Sequence, residues 1–317
     1  MYAPPPVVEA REFVRIPSEF HMKARKSTWV DVQLHGADAP AFLEGPSFDR
    51  HGNLWVVDIP WGRLFKITPD AKVTCELEYD GEPNGLKFHR DGRAFIADCK
   101  NGLMVFDPTS GKIEPFLERS LVQRFKGLND LVFASNGDLY FTDQGQTGLH
   151  DPSGRLYRLG HDGRLDCLLS NVPSPNGLVL NEKAHAVYLA VTRDNAIWRV
   201  PLVRDGLVTK VGVYVQMSGG GGPDGLALGS DGSLAICHVG LGAVWLFNEV
   251  GEPILRINSV HGRMTTNCAF GGPGNRQLFI TQGCSVLVAD TPVAGMPMYS
   301  HAEAHADTHT RTTAAAH

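Results

Sequence analysis

The chain has 317 residues, 43% of them apolar and 20% charged, so a large core can form and disorder is excluded for most of its length. The formal net charge of −5 excludes nucleic acid as the main partner, because phosphate binding needs a basic surface. No apolar run reaches the roughly 18 residues that a membrane-crossing helix needs, so no membrane span is predicted. The opening Met1-Tyr-Ala-Pro-Pro-Pro-Val-Val-Glu-Ala has no charged segment followed by an apolar one, so no secretory leader is predicted. Cys75, Cys99, Cys167, Cys237, Cys268 and Cys284 form no Cys-x-x-Cys pair, and are read as reduced thiols of a cytoplasmic protein.

In chain order, a similar segment returns six times. It starts as Glu44-Gly-Pro-Ser-Phe, Asn84-Gly-Leu-Lys-Phe, Asn129-Asp-Leu-Val-Phe, Asn176-Gly-Leu-Val-Leu, Asp224-Gly-Leu-Ala-Leu and Asn267-Cys-Ala-Phe. The starts lie 40, 45, 47, 48 and 43 residues apart. In four units a turn dipeptide follows seven residues later: His51-Gly52, Asp91-Gly92, Asn136-Gly137 and Asp231-Gly232. Glycine there supplies the positive φ of a tight hairpin. A second apolar strand comes next (Leu54-Trp-Val-Val, Ala94-Phe-Ile-Ala, Leu139-Tyr-Phe-Thr), then a third, then a more polar fourth. Four short strands in such a period make a propeller blade. The predicted fold is all-β, a six-bladed β-propeller with four antiparallel strands per blade, forming one domain over residues 1–299. A β-sandwich does not explain a turn that recurs at a fixed offset. A strand near Trp29-Val-Asp-Val-Gln-Leu34 is expected to complete the last blade. Residues 300–317, low in complexity and rich in histidine, are read as a disordered tail, with weak metal binding as the lesser alternative.

The first strand of a blade lines the central channel, so Glu44, Asn84, Asn129, Asn176, Asp224 and Asn267 should converge. All six are carboxylates or carboxamides. Pro-Asn-Gly and Pro-Asp-Gly also form turns, but the blade's hairpin already lies downstream. Two carboxylates at one mouth repel unless a cation lies between them. A ring of oxygen donors without histidine or cysteine is hard, which favours calcium, then magnesium or manganese, over zinc.

The Glu-Gly-Pro at Glu44, Leu-Asn-Asp at Asn129, Pro-Asn-Gly at Asn176 and Pro-Asp-Gly at Asp224 resemble the SMP-30/gluconolactonase/LRE-like family of regucalcin-like lactonases. The resemblance spans roughly residues 40–295. It implies one divalent cation, calcium first and magnesium, manganese, zinc or iron as further candidates, held by Glu44, Asn176 and Asp224. Asn129 is implied as a fourth ligand or a contact to substrate. The implied chemistry is hydrolysis of a lactone, often a sugar lactone, with Asp224 as base or nucleophile. Two positions depart from the pattern. Ala269 stands where some relatives hold a second calcium with histidine, and Gly127 stands where regucalcin has a sugar-holding arginine. Neither a second cation site nor sugar specificity is therefore implied.

The residues fit that chemistry. A bound divalent cation polarises a carbonyl and stabilises the oxyanion that follows, and a carboxylate can take the proton of water. No Gly-x-Ser-x-Gly elbow offers a competing nucleophile. Asn84, Asn129 and Asn267 of the ring are candidate substrate contacts. A second ring ends the second strands at Asp58, Asp98, Asp143 and His238, with Val191 and Gln282 as counterparts. Its aspartates are read as bonding to loop backbone, with Asp143 kept as a candidate substrate contact. His238 either binds substrate and shuttles protons or is a satisfied core histidine. Trp61, Arg124, Gln144 and Gln146 lie in loops that can cover the mouth, and Trp61 is carried as a substrate contact. The run Gly219–Gly222 before Pro223 is read as a flexible approach to the site. The expected partner is a small lactone, and the expected assembly a monomer or small homo-oligomer. Aryl-ester or organophosphate hydrolysis in the same pocket is a second reading, and a non-catalytic ligand-binding propeller a third.

Overall fold

The computed structural model describes residues 4–23, 25–183, 185–203 and 207–301. It is a six-bladed β-propeller. Blade 1 has strands Leu43–Phe48, Leu54–Asp58, Arg63–Ile67 and Val73–Glu78. Blade 2 has Pro83–Phe88, Ala94–Asp98, Gly102–Asp107 and Lys112–Leu117. Blade 3 has Leu128–Phe133, Leu139–Asp143, Gly154–Leu159 and Leu165–Val172. Blade 4 has Pro175–Asn181, Ala186–Val191, Ala196–Pro201 and Gly212–Gln216. Blade 5 has Gly222–Leu228, Leu234–Val239, Ala243–Phe247 and Pro253–Asn258. Blade 6 contributes Thr265–Gly271, Gln277–Gln282 and Ser285–Asp290.

The sequence pattern explains this order. Second strands such as Leu54–Asp58 are buried along their whole length, because neighbouring blades cover both faces. Outer strands such as Lys112–Leu117 alternate or are exposed, and polar residues there blunt a free edge. Six apolar clusters lie between successive blades. Trp55, Val57, Leu86, Ile96 and Phe106 join blades 1 and 2, and Ile16, Leu43, Phe65, Ala269 and Val288 join blades 6 and 1. Each first strand touches the next blade's first strand, and blade 6 returns to blade 1. Gly52, Gly92, Gly137 and Gly232 all take positive φ (79° to 94°), as their hairpins require.

The ring is closed by the N-terminal segment, at a place other than the one expected. Arg11–Arg15 pairs antiparallel with Ser285–Asp290 as the fourth strand of blade 6, and Val7–Glu9 adds a parallel fifth strand to blade 5. The segment at Trp29 is a short helix instead, Thr28–Gln33. Ser27 caps it by accepting from the Val30 amide, and Trp29, Val30 and Leu34 pack over Trp61. A capped turn with an apolar face to bury overrides the strand reading.

The expected tail begins too early. Tyr299–His301 form a helical turn, and the Ser300 hydroxyl donates to the Phe48 carbonyl at 3.2 Å. Tyr299 stacks on Phe133 with ring centres 5.0 Å apart, so Met296–His301 close the lower end of the channel. Residues 302–317 lie outside the described residues. No helix among the described residues is long and apolar enough to cross a membrane.

Candidate active site at the upper mouth of the channel

All six first strands carry a bulge at the ring position. Register slips between Glu44 and Ser47, Pro83 and Gly85, Leu128 and Leu131, Pro175 and Leu178, Pro223 and Leu226, and Thr265 and Cys268. A bulge re-aims side chains and ends pairing locally. It sets these residues in strands rather than in the turns that Asn-Gly suggests. The glycine after the ring residue has a packing role. A Cβ on Gly177 would lie 2.5 Å from the Asp224 carbonyl, and one on Gly225 would lie 2.0 Å from Asn267 Oδ1. Only glycine lets neighbouring first strands approach so closely.

Glu44, Asn84, Asn129, Asn176 and Asp224 line one chamber of about 280 Å³. Glu44 is 4% exposed, and its Oε2 accepts from the Gly45 amide (2.6 Å) and from Asn267 Nδ2 (2.8 Å). Burial, with the charges of Asp224 and Asp130 nearby, holds the Glu44 carboxyl well above its ordinary range. Burial also raises Asp224 to about 7; the Asn176 amide opposes the shift and the charge of Asp130 adds to it. The Asn129 amide is fixed, with Nδ2 donating to Gln144 Oε1 at 2.9 Å. Gln144 in turn donates to the Ser174 hydroxyl at 2.9 Å.

Two facing carboxylates, both pushed toward protonation, form a site short of positive charge. The donor set of Glu44, Asn129, Asn176 and Asp224 is all oxygen, and among the described residues Glu44 accepts its hydrogen bonds through Oε2, leaving Oε1 for a ligand. This arrangement fits a hard divalent cation. No group of three or more His, Cys, Asp or Glu side chains gathers among the described residues, so the amides are integral to the set.

Four candidates lie elsewhere. Asn267 does not line the chamber; it clamps Glu44 from below and reaches Asp130 Oδ2 at 3.4 Å. Asp143 is fully buried and accepts from the amides of Lys126 (2.6 Å) and Gly127 (3.0 Å), which ties down the loop entering blade 3. Asp58 and Asp98 do the same for blades 1 and 2, accepting from the Phe42 and Glu82 amides. A carboxylate spent on loop backbone is not offered to a substrate. Trp61 is buried under the helix, donating to the Ala39 carbonyl at 2.9 Å. His238 is 1% exposed, with Nε2 2.9 Å from the Gly219 carbonyl, and burial lowers its pKa. The glycine run packs on that ring, because a Cβ on Gly220 would meet His238 Nε2 at 2.9 Å. It is an anchored loop rather than a loose one.

Sequence reasoning missed Asp130 as a separate group. It occupies blade 3's place for the packing glycine, and the carboxylate faces the channel, 2% exposed. Burial raises its pKa, while Lys87 lower in the channel opposes the rise. The missing glycine at Asn129-Asp130 was the signal. Trp29 and Gln33 of the helix and Leu34 that caps it, with Arg193 of blade 4, were missed as lining residues.

The chain resembles known proteins over most of its length. Residues 42–283 match the SMP-30/gluconolactonase/LRE-like region. Lactonase drp35 of Staphylococcus epidermidis is 30% identical over 289 residues, 86% of this chain and 85% of that one. A gluconolactonase structure from Xanthomonas campestris superposes with a TM-score of 0.72 at 21% identity, covering 90% of this chain and 99% of that one. Regucalcin from Agrobacterium tumefaciens, described as a calcium-binding protein, gives 0.70 at 26% identity over 82% and 94%. With its six bulged first strands and its carboxylate–amide chamber, the chain belongs to the SMP-30/gluconolactonase/LRE-like family.

Proposed function

We propose that the protein is a lactone hydrolase whose reaction depends on one divalent cation, calcium by preference. The observation that carries this reading is the pair Glu44 and Asp224, a buried and a half-buried carboxylate that line one chamber among carboxamides and feel each other's charge. The lactonases among its relatives support the reaction class, and the calcium-binding relative supports the cation.

Glu44, Asn129, Asn176 and Asp224 would hold the cation. When bound, it supplies charge to draw electron density from a lactone carbonyl oxygen, and it offsets the two carboxylates. The chain's own groups do the rest. Asn267 and the Gly45 amide hold Glu44 in one orientation, so little reorganisation is needed when the reaction starts. The chain Ser174–Gln144–Asn129 fixes the carboxamide of Asn129 in the same way. Asn84, on blade 2 at the same chamber, offers an amide to the ring oxygens of a substrate. Asp224 takes the proton of the attacking water and passes it to the departing ring oxygen as the adduct collapses, which opens the ring to a hydroxy acid. The helix Thr28–Gln33 covers part of the mouth and limits the water that enters. The six thiols are all unpaired, which suits the cytoplasmic placement that we propose.

The test uses protein stripped with chelator and reloaded with single metals, assayed on aldonolactones, aliphatic lactones, aryl esters and organophosphates. Ring opening that needs the metal and is lost in Asp224→Asn is expected. Turnover of aryl esters alone would favour the second enzymatic reading. Absence of turnover with every metal would leave a ligand-binding propeller.

A further inference from the structure

Beside the chamber, over blades 3 and 4, lies a second cleft of about 400 Å³. Gln33, Gln144, Gln146, Ser174 and Arg193 line both spaces, and His150 lies on the far side of the cleft. A lactone ring held in the chamber therefore has room for a substituent pointing into the cleft. Apart from Arg193 and His150 the walls are uncharged: glutamine amides, the Thr147 and Ser174 hydroxyls, Leu149 and glycine backbone.

We infer that this cleft is a substrate subsite and that Arg193 selects lactones carrying one carboxylate on the ring substituent. The inference rests on the lactonase reading for its reaction, but on Arg193's own geometry for its specificity. Arg193 sits on the turn Thr192–Asp194, which is held from three sides. The Thr192 hydroxyl donates to the Pro223 carbonyl (2.8 Å), directly before Asp224. The Thr192 amide donates to the Ser174 carbonyl (3.1 Å), and Gln216 Nε2 donates to the Asp194 carbonyl (3.1 Å). The turn is thus tied to the blade 5 strand that presents Asp224 and to the Ser174 that precedes the Asn176 strand. Arg193 makes no hydrogen bond or ion pair with a carboxylate at contact distance among the described residues, yet its charge is felt by Asp224. Lys126, the other cation lining the chamber, is already engaged: it donates to the Ser153 hydroxyl and lies 3.9 Å from Asp151. One uncommitted guanidinium among amides matches one negative charge, and its planar fork fits a carboxylate. Arg193 is exposed and so hydrated before substrate binds, and a neutral polyhydroxy substituent would exchange that water for neutral hydrogen bonds only, without the charge-assisted pair.

Two matched lactones of one ring size decide the matter, one bearing a carboxylate on its substituent and one the corresponding primary carboxamide. With calcium-loaded protein, kcat/KM is expected to favour the carboxylate at least about tenfold, as a charged hydrogen-bonded pair warrants. Arg193→Met should collapse that ratio toward one, and Arg193→Lys should restore part of it. The preference should also shrink as salt is raised. Unchanged melting would show that the variant still folds. Equal turnover of both lactones by the wild type, or a ratio that Arg193→Met leaves alone, overturns the inference while hydrolysis itself stands. If neither lactone is opened, calorimetry with the matching lactams, which resist hydrolysis, replaces the assay. Tighter binding of the carboxylate lactam, lost in Arg193→Met, then upholds the subsite although the lactonase reading has failed. Equal binding of the two lactams sinks it.

Discussion

The two ends of the central channel are built by the same six strands, yet they differ in kind. At the upper end, bulges turn Glu44, Asn84, Asn129, Asn176 and Asp224 inward, and the chamber stays open and polar. Only a few residues further along, Lys87, Phe88, Phe133 and Leu228 line the lower end, which the chain's own Met296–His301 fills. A cavity of about 860 Å³, roomier than the chamber, also lies on the lower face, between Phe48, Phe270, Phe279 and Met298. It is apolar and gathers no converging carboxylates. Space alone therefore does not mark the site; buried charge that lacks compensation does.

The sharpest way to break this contrast is to neutralise the upper end. Glu44→Gln or Asp224→Asn should lower kcat/KM for lactone at least about a thousandfold, because each removes both a ligand and charge at the site of the developing oxyanion. Calcium titration by calorimetry should show weakened binding in the same variants. Retained activity in Glu44→Gln would falsify the assignment of the upper end.

Perturbing the lower end should do the reverse. Tyr299→Ala removes a ring stacked on Phe133 and packed by His89, and should cost about 1–3 kcal/mol of stability. Its kcat/KM should change less than about threefold, given the ordinary spread for distant sites. A large loss of turnover with intact melting would mean that the two ends are coupled.

Protonation gives a third handle. Burial pushes the Asp224 carboxyl up to about 7 in the folded chain, above the ordinary 3.8 that the unfolded chain keeps. Between those values the folded state takes up a proton that the unfolded state does not, so stability rises as pH falls from 8 toward 5. Metal-free protein should show this in its melting midpoint, and Asp224→Asn should flatten it. A midpoint with the same pH slope in wild type and variant contradicts the burial argument.

At the upper end itself, a smaller effect than that of removing a ligand is expected from the supporting chain. Gln144→Ala frees the Asn129 amide and should reduce kcat/KM by about ten- to a hundredfold, the usual loss when a group that orients a ligand is removed. An unaltered rate would show that Asn129 needs no such support.

Much of this contrast was legible in the repeat. The spacing of Glu44, Asn84, Asn129, Asn176, Asp224 and Asn267 placed one polar residue per blade, and the His51-Gly52 type of dipeptide marked the hairpins. The substrate contacts were less legible. Asp143, Trp61 and His238 are chemically suited to a substrate, but they are held by the Lys126 and Gly127 amides, the Ala39 carbonyl and the Gly219 carbonyl. Such partners come from loops whose paths have no period to read. Asn267, assigned to the substrate, works one layer lower, because blade 6 runs one residue out of phase: Thr266 lines the chamber, and Asn267 takes the place that Gly177 and Gly225 hold in blades 4 and 5 and Asp130 in blade 3.

By itself, the sequence determined the number of blades, the strand order within each and the ring of oxygen donors, since these follow from local periodicity repeated six times. Only the tertiary structure decided what closes the ring, what caps the mouth and what fills the base. Arg11–Arg15, Thr28–Gln33 and Met296–His301 occur once each, and their conformations are set by the surfaces they bury against rather than by any pattern of their own. Which chamber-lining cation stays uncommitted among the described residues was decided there too, because it depends on the partners that Lys126 finds there and Arg193 does not.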